Sequence, residues 1–180
     1  RSQIIRERGN STTEPDFPSG RDLESLSLHE WGHSFVNPAL DQHPSRIQDL
    51  NHLFTPVRGP MESQAYSNVV SFTYEQVLRG VTALAASDFY GAAALDEAIA
   101  GEESRSFYLT TEVIEMLEVY RDNRDTYPTF ADFVPELLDS LEVARVKPPV
   151  WHRYVSQLLV VVAIVAMVYV VKTKRVLQND

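Results

Sequence analysis

The stretch His29–Pro38, HEWGHSFVNP, sets the strongest constraint on this chain, because its three most reactive side chains can act together only if the backbone is helical. Successive residues of an α-helix are turned by about 100°, so His29 and His33 stack on one face, with imidazoles near enough to share a metal ion. Glu30 projects beside them. This HExxH spacing points to zinc held by two neutral imidazole nitrogens, with the intervening glutamate taking a proton from a zinc-bound water. Leu28, Trp31 and Phe35 recur at spacings of three and four, and they predict a separate apolar stripe that buries in a core while the histidine face looks into a cleft. Gly32 costs about 0.8–1 kcal/mol relative to alanine in a helix interior, so its presence predicts that another group approaches the backbone closely there.

The rest of the chain reads as helices around this one. Residues 1–20 are polar and rich in Ser, Thr, Pro and Gly, which predicts a disordered or linker segment, a cut end with no visible signal peptide. Residues 21–146 form the expected helical domain. Its first helix starts near Arg21, with Ser19 or Asp22 as N-cap, and stops near Asn37 and Pro38, where Asn37 is expected to cap the end or to orient a ligand. Ser45–Phe54 reads as a brief helix, and Pro56, Gly59 and Pro60 then break the chain. Met61–Tyr90 reads as a long helix with Val70, Tyr74, Val77, Val81 and Leu84 on a buried stripe, ended by Gly91. Further helices are expected at Ala92–Ala100, Thr110–Arg121 and Thr129–Val146, the last opened by a Thr129–Asp132 capping box. No strand pattern or internal repeat is visible.

The C-terminus is of another kind. Residues 147–154 form a juxtamembrane linker with an aromatic and basic collar, Trp151, His152, Arg153 and Tyr154. Residues 155–171 contain no charge and predict a single transmembrane helix, followed by a short basic tail at 172–180 that includes Lys172, Lys174 and Arg175. The tighter basic cluster after the span favours a cytoplasmic tail and an extracytoplasmic domain. Net charge of −9 argues against a nucleic-acid partner, and the absence of cysteine excludes disulfides and thiolate ligands. Any metal must therefore sit on histidine and carboxylate.

A catalytic zinc normally takes three protein ligands and leaves one position for water. The metzincin pattern HExxHxxGxxH fails at Val36 and Ala39, and His43 falls too late to replace the third histidine. A glutamate from a later helix is the alternative. Glu75 is the leading candidate, because it lies beside a buried stripe with Arg79 one turn on; Glu62 is the reserve. Tyr66, Tyr74, His52 and Arg79 are, by residue type, possible donors to an oxyanion.

HEWGHSFVNP, followed by YEQVLRGVTALAASDFYG and YRDNRDTYPTFADFVPELLDSLE, resembles an uncharacterised bacterial family read as zinc metallopeptidases, over roughly Ser25–Leu141. The resemblance implies a gluzincin-like site with His29, His33 and Glu75 as ligands of one Zn2+ and Glu30 as general base. Members usually carry a longer N-terminal portion, which implies that one wall of the cleft lies there. The fold class expected is therefore mainly α, a zincin-like helical metallopeptidase domain followed by one transmembrane helix. The expected function is zinc-dependent hydrolysis of peptide bonds in a peptide or protein substrate by a chain anchored in the lipid bilayer. The alternative is a membrane-tethered binding or scaffold domain with a vestigial or structural metal site.

Overall fold

A computed structural model of the chain describes residues 20–145, together with Val162, Ile164 and Met167 farther on. Among the described residues all regular structure is helical: α1 (Arg21–Leu40), α2 (Pro44–Asp49), α3 (Asn51–Phe54), a 3-10 turn at Thr55–Val57, α4 (Arg58–Ser63), α5 (Val69–Tyr90), α6 (Ala92–Ser104), α7 (Thr110–Asp122) and α8 (Phe130–Glu142). No described helix is long and apolar enough to cross a membrane. The expected transmembrane run at 155–171 lies outside the described residues except for Val162, Ile164 and Met167, which are helical and exposed.

The fold is built around α5. Its middle turns bury Thr73, Gln76, Val77, Leu78 and Gly80 on every side, as a central helix must. It packs against α1, α6 and α7, and α8 closes the other side by meeting α7 and α1. Four phenylalanines that are almost wholly buried, Phe54, Phe72, Phe107 and Phe133, bring α3, α5, the α6–α7 connection and α8 into one core. Gln76 fixes the register between α5 and the start of α7, accepting from the Leu109 N–H at 3.2 Å and donating to Thr110 Oγ1 at 3.2 Å. That register positions Glu75 and Arg79, its neighbours on α5.

Two glycines let helix backbones approach α5. A Cβ on Gly32 would stand 2.3 Å from Leu78 Cδ1, so the close approach expected at that position is that of α5. A Cβ on Gly80 would meet Val113 at 2.3 Å from Cγ1 and 2.9 Å from Cβ. The two contacts differ in how far they can yield. Leu78 can swing its terminal methyl, whereas a β-branched valine in a helix is confined to essentially one rotamer. Gly80→Ala is therefore expected to lower stability by about 1–3 kcal/mol through overpacking. Gly32→Ala should cost clearly less, because the gain of about 0.8–1 kcal/mol in helix propensity offsets a yielding contact. Equal melting temperatures for the two variants would contradict this ordering.

Several boundaries differ from those expected. The first helix runs through Pro38 to Leu40, since a proline in the closing turn forfeits one hydrogen bond and the Asp41 N–H still reaches Asn37 O at 2.8 Å. Gly20 stands at its N-cap, not Ser19 or Asp22. Ser45–Phe54 is two short helices, α2 and α3, joined at Leu50. Pro56 and Pro60 fall in first turns, where a missing N–H costs nothing, so the chain stays helical where a break was expected. The long helix begins at Val69 rather than Met61. Asn68 caps it by accepting from the Ser71 N–H at 3.0 Å, and Met61 is a core residue of α4. Gly91 ends α5 with φ 85°, and the Thr129–Asp132 capping box opens α8, both as expected; α8 stops at Glu142 rather than Val146.

The largest correction concerns α1. Of the expected core stripe, Trp31 and Phe35 point outward at 73% and 75% exposure, and Leu28 is half-buried. The inward stripe is His29, Gly32, His33, Val36 and Leu40, spaced by three and four, and it faces α5. Gly32 is the cause: without a Cβ it admits Leu78, and that approach brings the histidines on either side against α5.

Candidate metal centre

The close packing of α1 on α5 brings the two histidines to Glu75. His33 Nε2 lies 3.2 Å from Glu75 Oε1, and His29 Nε2 lies 3.5 Å from Glu75 Oε2. The three ligand atoms fall within 4.8 Å of one another, a group that could hold a metal ion. A tetrahedral ion with bonds of about 2.0–2.2 Å sets its ligand atoms about 3.3–3.6 Å apart. The two histidine–carboxylate separations are of that order and run to the two different oxygens of Glu75, so the three side chains stand within reach of one ion.

The hydrogen bonding gives a second test of fit. His33 Nδ1 is 3.2 Å from Asn37 Oδ1, an acceptor, so Nδ1 carries the proton and donates it. In neutral His33 this leaves the Nε2 lone pair pointing at a carboxylate oxygen. Two lone pairs at that distance repel unless a positive charge lies between them, whether an added proton or a metal ion. Glu75 Oε2 is itself buried without a hydrogen-bond partner; Arg79 Nη2 approaches it to 2.9 Å as an ion pair but is not aimed along a hydrogen bond. The donor set therefore fits a divalent cation. Asn37 serves this cluster rather than capping α1, and its place one turn after His33 was visible in the spacing. If the cluster holds zinc, Asn37→Ala is expected to weaken its binding about 10- to 100-fold while helix content is kept, as loss of a ligand-orienting partner does; competition against a chromogenic chelator measures it.

Behind Glu75 stands a chain of charges. Arg79 bonds Glu102 through Nη1 at 3.1 Å and donates from Nη2 to the Tyr66 hydroxyl oxygen at 3.1 Å, and Glu102 also pairs with Arg105. Burial pushes the Glu75 carboxyl up, but His29, the Arg79 charge and Tyr66 together outweigh it and hold the group below its ordinary value. Burial pulls Arg79 down, and Glu102 and Glu75 more than reverse this. Both groups are thus charged in the folded chain.

The cluster borders a polar cleft of about 430 Å³, into which His29, Glu30, Tyr66, Arg79, Glu102 and Arg105 face. Glu30 is exposed there, on the same turn as His29. Tyr66 is held by its turn: Ala65 adopts a positive φ of 72°, the Tyr66 N–H donates to Met61 O at 2.9 Å, and Gln64 Nε2 donates to Arg105 O at 2.9 Å. Of the four donors expected by type, Tyr66 and Arg79 reach the cleft. Tyr74 does not: its hydroxyl donates to Asp41, and burial together with that carboxylate pushes it up to about 12. His52 is exposed on α3, with Nδ1 2.9 Å from Asp49 O. Glu62, the reserve ligand, pairs with Arg58 at 3.7 Å and is not brought to the cluster, and His43 is only the N-cap of α2. Glu102 and Arg105 were not foreseen, because α6 returns them to the site only through the turn at Gly91.

Helices that close two histidines and a glutamate beside an open polar cleft define a mainly helical protein with a side-chain group that could hold a metal ion. The chain belongs to the family described as Domain of unknown function (DUF4932), whose model matches residues 16–140. That match spans the whole cluster and its supporting charges. Comparison with curated proteins and with solved structures returned no match.

Proposed function

We propose that the chain is a zinc-dependent metallopeptidase. The observation that carries this reading is the meeting of Glu75, from α5, with both histidines of the HExxH helix, their ligand atoms within 4.8 Å of one another. Its position beside a cleft containing Glu30 supports hydrolysis over a purely structural metal.

His29, His33 and Glu75 would hold one zinc per chain, which when bound supplies Lewis acidity and lowers the pKa of its water towards ~7. Glu30 takes the proton of the attacking water and returns it to the leaving amine. Tyr66 donates to the carbonyl oxygen of the peptide as negative charge develops there. Its oxygen accepts from Arg79, which polarises the hydroxyl, and the proton that it shares with the Glu75 carboxylate in the substrate-free chain turns to the substrate oxygen. Arg79 and Asn37 position: the first holds Glu75 and Tyr66, the second fixes the tautomer of His33. The uncharged run at 155–171 would anchor this domain to a membrane, with the domain extracytoplasmic and the basic tail cytoplasmic.

Metal analysis of the purified chain is expected to give about one zinc per molecule, and hydrolysis of a mixed peptide library should stop on chelation and return with zinc. A metal-free chain that takes up no zinc under titration would overturn this function. Release of the chain from membranes by carbonate would overturn the anchor alone.

A further inference from the structure

Next to the polar cleft lies a second groove of about 670 Å³ between the first turns of α1 and the last turns of α5. Leu23, Leu28, Trp31, Ala86, Phe89 and Tyr90 give it a largely apolar lining. Ser25 and Thr82 line both cavities, so one wall is common to the two. Trp31 follows Glu30 directly in the sequence. At 73% and 75% exposure, Trp31 and Phe89 are large aromatic side chains left open beside a hydrolytic cleft. The far wall is fixed in advance: the Tyr90 hydroxyl donates to Glu24, and the Arg21 guanidinium lies 4.2 Å from the centre of the Tyr90 ring.

We propose that this groove is the specificity pocket of the cleft, taking a large apolar or aromatic side chain of the peptide next to the bond presented to Glu30. The inference rests on the peptidase reading for its substrate, and on the shared wall for its position. Ser25 lies one turn of α1, about 6 Å, before His29, a distance spanned by one residue of extended chain, about 3.3–3.6 Å, together with the length of a large side chain. An apolar side chain entering there leaves water for an apolar lining, and Trp31 and Phe89 offer it ring faces and edges. Charged side chains would lose hydration against that lining, and the two charges at its rim, Glu24 and Arg21, are already engaged with Tyr90.

The test uses the full chain with Trp151→Phe as background, so that the emission of Trp31 reports binding. Paired peptides, identical except for Phe or Ala at one position, are followed both by Trp31 fluorescence without zinc and by cleavage with zinc. Trp31→Ala and Ala86→Phe, the second filling the groove, are compared with the background chain; binding by the Trp31 variant is read by calorimetry. The Phe peptide is expected to bind and to be cleaved at least about tenfold better than its Ala partner. Both variants should bring the Phe-to-Ala ratio of kcat/KM close to one. Cleavage without preference, or a preference that survives both variants, overturns the pocket and leaves the peptidase standing. Groove-dependent binding of the Phe peptide with no cleavage of any peptide supports the pocket and overturns the peptidase. A Trp31-dependent dimer in sedimentation would show a second copy seated in the groove and overturn the proposal.

Discussion

Glu30→Gln should keep about one zinc per chain and lower kcat towards peptides by about 10²–10⁴-fold, the usual contribution of a positioned general base. The amide matches the carboxylate in shape but cannot take a proton at neutral pH. Glu30 is exposed in the cleft while its neighbour His29 turns inward to Glu75, so the substitution leaves the ligand set untouched. KM should move little, because the loss falls on the transition state rather than on ground-state binding. Undiminished turnover in this variant would remove Glu30 as the base. A large fall in zinc content would mean instead that the residue helps to hold the metal.

The separation of roles between Glu30 and His29 was readable in the spacing, since adjacent helical residues differ by about 100°. The face of α1 that would be buried was not. Hydropathy ranks Trp31 and Phe35 above two histidines and a glycine, yet the latter turn inward, half-buried, because backbone proximity at Gly32 decides the packing. The presence of Gly32 was a visible sign of close approach; its partner, Leu78, lies on another helix and could not be read locally. Glu75 was legible through its i,i+4 relation to Arg79 within one helix. Glu102 and Arg105, which complete the same charge chain, were not, because only the reversal at Gly91 brings α6 back along α5. The start of α5 was misplaced for a similar reason. Met61 fits the apolar period of the longer helix, but the turn at Ala65 and the Asn68 cap divide that period between two elements.

Glu75→Gln is expected to weaken zinc binding by more than about 100-fold, beyond the range that loss of an orienting partner produces. Zinc affinity that is unchanged would exclude Glu75 as a ligand. The substitution must be separated from its structural effect, because Glu75 is also the buried counter-ion of Arg79. Removing one member of a buried pair costs about 3–5 kcal/mol when the other charge is left alone. Here Arg79 retains Glu102 and Tyr66, so the cost should fall below that range, and Glu75→Gln should fold where Glu75→Ala loses more. Denaturation in chelator reads this contribution without the metal. The carboxyl of Glu75 is held below its ordinary value of 4.5 in the folded chain, so its contribution is present above that pH. It is lost as pH falls through the lowered folded value, where the native state must take up the proton it had excluded. Glu75→Gln should therefore flatten the acid side of the metal-free stability curve, while the same variant's zinc affinity stays low at neutral pH. A carboxylate that only balanced Arg79 would change the first measurement and leave the second alone; a metal ligand changes both.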